Sequence, residues 1–465
     1  MLADELGQVV ERRAGRFVLV RGRRRIGKSR LVEEFLRRAS IPTLYFTASR
    51  QHRAAELAAF AEALGRSDIP GADLLAASRA GTWEAALTGV AALVGQSGPT
   101  ALVVDEFPFL AEDDRDRLAL EGTFQKVWDR TLQHLPIMLI LIGSDLAMMR
   151  ALTDYDRPLY GRPTRTVNVQ PFSPLEVSEL IGLEGRAALD AYAIVGGFPF
   201  VAASWRKGET ISRFLSRSLA DETSPLVVDG ERVLNAEFPA TTQARQVLTA
   251  IGSGERTFTA ISRIAGINHA TLTRALDLLV AQKQVVAAES AMSGRRQRDR
   301  RYYVADPYLR FWLRFVRPEL PNIERGRGEQ AAQWALERWP DYRGRAIEPI
   351  VRRSIEQMLP DDRLGDGLYA GSYWTRSGSV EIDLVIADST PAPAEVRAVG
   401  SIKWRDRKRF DRRDSDALIG DSAAVPGVTA GTHTVGVSAT GFTRDSGVDL
   451  ELGPDDLLRA WSSRD

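Results

Sequence analysis

A multidomain α/β chain is predicted, with a parallel sheet that carries a phosphate-binding loop near its start and further helical and mixed modules after it; three observations predict it. The apolar run Phe17–Val20 leads straight into Gly22-Arg23-Arg24-Arg25-Ile26-Gly27-Lys28-Ser29, and Leu31, Val32, Phe35 and Leu36 follow at helical spacing. A second apolar run, Ala101–Val104, ends in Asp105-Glu106. Beyond Ser173 the strand–helix alternation gives way to helical spacing, and clean strand alternation returns only at Val380–Ile386. A length of 465 residues calls for more than one domain. The expected boundaries give an α/β core at 1–172, a helical segment at 173–240, a further segment at 241–318 and a second α/β domain at 319–465.

Composition narrows the class. Hydrophobic content of 44% and charge of 26% fit a globular protein, and no apolar run is long enough to span a membrane. The chain has no cysteine, which excludes disulfides, zinc–thiolate sites and thiol catalysis, and makes the cytoplasm the expected compartment. A formal net charge of +1 argues against bulk polyanion binding and leaves local patches open. Only six of the 62 basic residues are lysine, so arginine runs are partly compositional and are discounted.

Taken in order, residues 1–16 are expected to be helical. The GxxxxGK[ST] loop then reads as a Walker A motif: Gly22 and Gly27 let the backbone turn its N–H groups inward, Lys28 reaches the β- and γ-phosphates, and Ser29 ligates Mg²⁺. Gly22 through Ser29, with Arg30, form the expected nucleotide site, and ATP with Mg²⁺ the expected cofactors. Thr43–Thr47 is a second strand, followed by helical stretches at 53–64 and 81–94. Asp105 and Glu106, at the end of the next strand, have the form of Walker B: Asp105 would hold Mg²⁺ through water and Glu106 would polarise the attacking water. The strand Ile137–Gly143 ends at Ser144, which reads either as a sensor of the γ-phosphate or as a helix N-cap. Arg162, in the loop before a strand at 166–169, reads either as a charge neutraliser in the transition state or as a structural arginine. The break Gly196-Gly197-Phe198-Pro199 is either a ligand contact or an ordinary helix end.

With these residues in view, Gly22–Ser29, Val104–Phe109, Ile142–Ser144, Pro158–Arg162 and Gly196–Pro199 together resemble the prokaryotic archaeal-type ATPases, on the STAND side of the AAA-like ATPases. The resemblance extends along the whole chain. On the boundaries above it implies an ATPase core, a helical lid, a winged helix and a restriction-endonuclease-like C-terminal domain, and it implies that Pro199 touches adenine. One departure is visible: the family's segment before the first strand carries a Gly-Arg pair ahead of acidic residues. Here Asp4-Glu5-Leu6 matches its end with no arginine before it, so either that contact is missing or the start lies further upstream.

The middle of the chain has helix-turn-helix spacing, with helices over 258–265 and 270–281 and wing strands at 285–288 and 301–304. Asn268, His269, Thr271 and Arg274 would face a DNA major groove, and Arg295, Arg296, Arg298, Arg300 and Arg301 would touch phosphates, unless the module serves internal packing. In the last domain, Glu348, Asp383 and Ser401-Ile402-Lys403 resemble a PD-(D/E)xK nuclease core. Ser401 stands where that motif has a carboxylate, so the nuclease-like site is expected to be silent. Expected partners are ATP and ADP, with DNA through the winged helix and homo-oligomerisation left open. The leading expectation is a Mg²⁺-dependent ATP-hydrolysing switch. The alternatives are a DNA-binding regulator with little turnover and an ATP-controlled nuclease in mobile-element defence.

Overall fold

A computed structural model describes residues 1–238, 243–293 and 299–462, which divide into two compact units, Met1–Gln170 and Pro171–Asp465. Among the described residues no helix is long and apolar enough to cross a membrane.

The first unit is a five-stranded, all-parallel sheet of β1 (Arg16–Arg21), β2 (Thr43–Thr47), β3 (Thr100–Asp105), β4 (Ile137–Gly143) and β5 (Arg165–Asn168), in the order β2-β3-β4-β1-β5. Its central strands read as unbroken apolar runs because both faces are covered. Phe17 and Leu19 pack into the core beneath the helices Arg53–Gly65, Trp83–Ser97 and Asp114–Arg130, while Val18 and Val20 point to the opposite core with Leu2, Val9, Val32 and Leu36. The period-2 alternation of side chains across β1 therefore feeds two separate hydrophobic layers. The first helix is shorter than expected, Leu2–Arg12, and ends at Arg13 in the left-handed region (φ 48°). Glu5 is buried and ties that helix to β5, accepting from Thr164 Oγ1 (3.0 Å) and Arg165 Nε (3.1 Å).

Register decides what each strand end presents. β1 and β4 run level from Arg16↔Met138 to Arg21↔Gly143, and β3 pairs with β4 up to Val104↔Leu141. Gly22, Asp105, Glu106 and Ser144 consequently emerge together at the carboxyl edge of the sheet, where open α/β sheets form their binding crevice.

In the second unit the segments expected as lid, winged helix and nuclease-like domain share one continuous core, running from Val177 through Leu272, Trp312 and Ile350 to Leu452. Helices Phe258–Ala265 and His269–Asp277 meet at Gly266 (φ 66°) and are followed by an antiparallel hairpin, β6 (Val286–Ser290) and β7 (Arg300–Val304). A 31-residue helix, Gly328–Met358, leads into a mixed sheet of β8 (Tyr369–Trp374), β9 (Glu381–Ala387), β10 (Val396–Lys403), β11 (His433–Ser438) and β12 (Leu450–Leu452). Its order is β12-β11-β10-β9-β8, antiparallel through β8, β9 and β10 and parallel through β10, β11 and β12. Asp190, buried on the helix Gly185–Val195, accepts from Trp404 Nε1 (2.8 Å) and faces Arg343 (3.6 Å). Burial pushes its pKa up against the pull of Trp404 and the arginines, so this carboxylate depends on those partners.

Candidate nucleotide site

The loop Gly22–Ser29 is shaped by backbone positions that side chains would spoil. A Cβ on Gly22 would fall 2.4 Å from Ile26 Cδ1 and 2.6 Å from Val169 O, and Gly27 sits at φ 89°. Arg25 takes φ 64° without being glycine, a sparsely populated conformation for such a residue. Lys28 is 5% exposed and opens the helix Lys28–Ala39, and its Nζ donates to Arg23 O (2.8 Å) across the loop. Arg21, the last residue of β1, keeps a buried Nε without a hydrogen-bond partner, and burial followed by the nearby Arg150 charge lowers its pKa. A tight glycine-bounded loop at a helix N-terminus beside the Arg21 charge fits an anionic phosphate chain.

The donors expected for Mg²⁺ are brought together by a residue that the sequence did not single out. Tyr45 Oη donates to Asp105 Oδ2 (2.9 Å), and the Ser29 hydroxyl lies close enough to Tyr45 to pull its pKa down against the larger upward causes. Ser29 and Asp105 thus both lie near the Tyr45 hydroxyl, and hard-oxygen donors of this kind suit Mg²⁺. Burial, and then the Asp105 charge, push the Tyr45 pKa well above its ordinary value, so the hydroxyl keeps its proton and donates. The other carboxylate oxygen of Asp105 accepts from Glu106 N (2.8 Å). Glu106 is held at φ 51°, and its Oε2 accepts from Ser144 Oγ (2.7 Å). Asp145, not Ser144, caps the following helix by accepting from Met148 N (3.0 Å), which answers the N-cap alternative for Ser144. Phe109 lies under two guanidinium groups, Arg24 at 5.2 Å and Arg50 at 5.8 Å, so the loop after β2 also faces the phosphate loop. Arg23 is half-buried, while Arg30 points outward and pairs with Glu33 (3.9 Å).

Arg162 is a correction. It precedes β5, which runs parallel to β1 from Val18↔Arg165, so it lies at the amino edge of the sheet, a strand length from the phosphate loop. Its guanidinium is spent on Asp129 (3.1 and 3.3 Å) and Tyr160 O (2.7 Å), and within this chain it is a structural arginine. The Gly196-Gly197 pair has its own packing reason: a Cβ on Gly196 would meet Tyr308 N at 2.9 Å, and one on Gly197 would meet Phe172 O at 2.3 Å. Pro199 then starts the short helix Pro199–Ala202.

The nuclease-like residues are only partly assembled. Ser401 Oγ (3.2 Å) and Ile402 N (2.8 Å) both donate to Asp383 Oδ2, so the serine and the aspartate satisfy one another. Glu348 is pushed up to about 7 by burial, with Arg352 pulling it down and Asp383 pushing the same way as burial. Glu381 is engaged by Arg301, and Lys403 is half-buried at the end of β10. Among the described residues no group of three or more His, Cys, Asp or Glu is placed to hold a metal ion.

The groove-facing expectation needs two corrections. Thr271 is 8% exposed, and the Asn268 side chain accepts from Thr271 N (2.9 Å) as an N-cap, so both are occupied in folding the helix. His269 and Arg274 are exposed. Of the expected wing arginines, Arg295, Arg296 and Arg298 lie outside the described residues and Arg300 is exposed. Arg301 packs over Trp374 (4.3 Å) and pairs with Glu381, which ties the hairpin to β8 and β9 rather than leaving that residue for phosphate.

The fold and the loop at its carboxyl edge define the N-terminal part of the chain as a P-loop ATPase domain. Residues 3–201 match the family described as an ATPase domain predominantly from Archaea, and residues 312–414 match archaeal and bacterial proteins of unknown function. An uncharacterized protein of Methanocaldococcus jannaschii is 24% identical over 313 residues, covering 67% of this chain and 69% of that protein. Among solved structures, the Walker-type ATPase of Pyrococcus abyssi is similar at 21% identity and TM-score 0.47, covering 67% of this chain and 93% of the other. The Aeropyrum pernix ORC2 protein is similar at 14% identity and TM-score 0.39, covering 70% and 91%.

Proposed function

We propose that the protein is a Mg²⁺-dependent, ATP-hydrolysing switch of STAND type, in which the core at 1–172 binds and cleaves ATP. The lid at 173–240 would read the nucleotide, with Pro199 against adenine, and the winged helix at 241–318 and the nuclease-like domain at 319–465 would respond. The observation that carries this reading is the convergence of Ser29, Tyr45 and Asp105 beside a Glu106–Ser144 pair at the mouth of the phosphate loop. Ser29 and Asp105 would hold Mg²⁺, which when bound would supply charge neutralisation at the nucleotide's phosphates. The remaining roles belong to the chain: Lys28 Nζ exchanges Arg23 O for phosphate oxygen, Glu106 orients and polarises the attacking water, and Ser144 fixes the Glu106 carboxylate. Phosphate release by the purified chain, measured with and without Mg²⁺ and duplex DNA, tests the reading. Absence of Mg²⁺-dependent release would leave a nucleotide-binding regulator.

Tyr45→Phe is expected to raise the Mg²⁺ concentration needed for half-maximal hydrolysis by roughly tenfold, because a hydrogen bond to a charged group contributes about 1.5–3 kcal/mol. A Mg²⁺ dependence equal to that of the unaltered protein would remove Tyr45 from the positioning of Asp105.

The nuclease-like domain is read as silent, since the Ser401 hydroxyl is a poor replacement for a charged ligand and already serves Asp383. Incubation of supercoiled plasmid with Mg²⁺ or Mn²⁺ is expected to leave it intact. Cleavage that disappears in Asp383→Ala and Lys403→Ala would overturn this, whereas cleavage gained only in Ser401→Glu would support it. Packing of Arg301 against Trp374 and Glu381 favours the winged helix as an internal module over a DNA reader.

A further inference from the structure

β2 pairs with β3 as far as Thr47↔Asp105, and Ala48 N donates to Asp105 O (2.9 Å), so the loop after β2 starts level with the Asp105-Glu106 pair. That loop, residues 48–52, is clamped by Glu56, which is 1% exposed. One oxygen, Glu56 Oε1, accepts from Ser49 N (3.0 Å), Ser49 Oγ (3.0 Å) and Gln51 N (2.8 Å). Between the two clamped residues stands Arg50, exposed and at φ 63°. A residue other than glycine keeps a left-handed backbone only where its surroundings fix it, and such positions cluster at functional sites. The Arg50 guanidinium lies over Phe109 (5.8 Å), and Phe109 N donates to Glu106 O (2.8 Å), so Arg50 rests on the turn that carries Glu106. Arg24 of the phosphate loop lies over the same ring (5.2 Å), and neither guanidinium has a carboxylate partner among the described residues.

We propose that Arg50 contacts the terminal phosphate of bound ATP, as a catalytic residue of hydrolysis and as the side chain by which the chain tells ATP from ADP. The inference rests on the ATP-hydrolysing reading of the phosphate loop. In that reaction the water oxygen bonds to the terminal phosphorus, the bond from that phosphorus to the oxygen shared with the β-phosphate breaks, and Glu106 takes up the water proton. The products are ADP and inorganic phosphate. Charge that develops on the transferred group calls for a fixed cation, a role that Arg162, at the amino edge of the sheet, cannot fill within this chain. Arg50 comes from beyond β3, on the Asp105-Glu106 side of the crevice, so its reach is to the phosphate under attack. A guanidinium offers phosphate oxygens a planar fork of donors, and the face of Phe109 orients that fork without neutralising it.

Calorimetric titration of the full-length chain with ADP and with the β,γ-imido analogue of ATP tests the proposal, beside single-turnover hydrolysis of ATP, in the unaltered protein, Arg50→Gly and Arg50→Lys. Glycine takes φ 63° without strain, so Arg50→Gly removes the guanidinium and keeps the loop. That variant is expected to bind the analogue about tenfold more weakly, to bind ADP as before and to hydrolyse ATP about 100- to 1,000-fold more slowly. Arg50→Lys keeps the charge without the fork, and is expected to recover most of the affinity for the analogue but only part of the rate. The proposal is overturned if Arg50→Gly binds both nucleotides as the unaltered chain does, or if it weakens both alike, which would make Arg50 a structural part of its loop. Selective loss of the analogue with an unchanged rate would uphold the phosphate contact and overturn the catalytic role. Binding of neither nucleotide by the unaltered chain would overturn the ATP-hydrolysing reading itself, and this inference with it.

Discussion

Lys28→Ala is expected to abolish measurable nucleotide binding. The ammonium is almost wholly shielded from solvent, lies at the N-terminus of its helix and is aimed across the loop by its bond to Arg23 O. Removing it deletes the point charge expected at the β- and γ-phosphates, and Arg24 of the same loop is held against Phe109. Charge-assisted hydrogen bonds of this kind contribute about 1.5–3 kcal/mol each, and Lys28 can make more than one, so affinity should fall by at least about 100-fold. Titration with a fluorescent ATP analogue measures it, with circular dichroism to show that the sheet persists. Affinity within a few-fold of the unaltered chain would mean that phosphate is held by backbone N–H groups alone.

Glu106→Gln should separate binding from hydrolysis. The amide keeps an oxygen for Ser144 Oγ and nearly the same shape, so the backbone at φ 51° and the Asp105–Glu106 hydrogen bond should stay in place. What is lost is the negative charge that, on the proposed function, polarises the attacking water. A positioned general base contributes typically 10²–10⁴-fold, so single-turnover hydrolysis is expected to slow by roughly that factor. The dissociation constant for ATP should be unchanged. Hydrolysis at the original rate would assign the water-polarising role to another group and leave Glu106 as a partner of Ser144.

The contrast between these two residues and Arg162 shows how far linear reasoning reached. Lys28 and Glu106 were legible because each closes an apolar run whose length gives a strand and whose end gives a direction; in a parallel sheet all such ends share one edge. Arg162 lies in a loop that precedes its strand, and the same rule places it at the opposite edge. That rule favours the structural alternative for Arg162 once β5 is assigned. Tyr45 carried a weaker signal, a tyrosine among the alternating residues of a short edge strand, with nothing local to connect it to Asp105 sixty positions later.

For the C-terminal part, the Asp383, Ser401 and Lys403 pattern showed which residues share a strand face, and the substitution at Ser401 showed that a ligand is missing. It did not show that the serine hydroxyl turns to Asp383, or that Glu381 is taken by Arg301, eighty residues before it. The wing arginines likewise read as phosphate contacts in sequence, while the fold gives Arg301 a carboxylate and a tryptophan.

What the chain determined by itself was whatever is encoded within a dozen contiguous residues: the phosphate loop, whose binding groups are its own backbone N–H donors, and the buried strands, whose burial on both faces is written as unbroken apolar runs. Only the tertiary structure decided which charges are already neutralised and which remain for a ligand. Pairings such as Arg162–Asp129, Arg301–Glu381 and Tyr45–Asp105 join residues 33 to 80 positions apart, and side-chain periodicity specifies the face a residue occupies but not the neighbour it meets there.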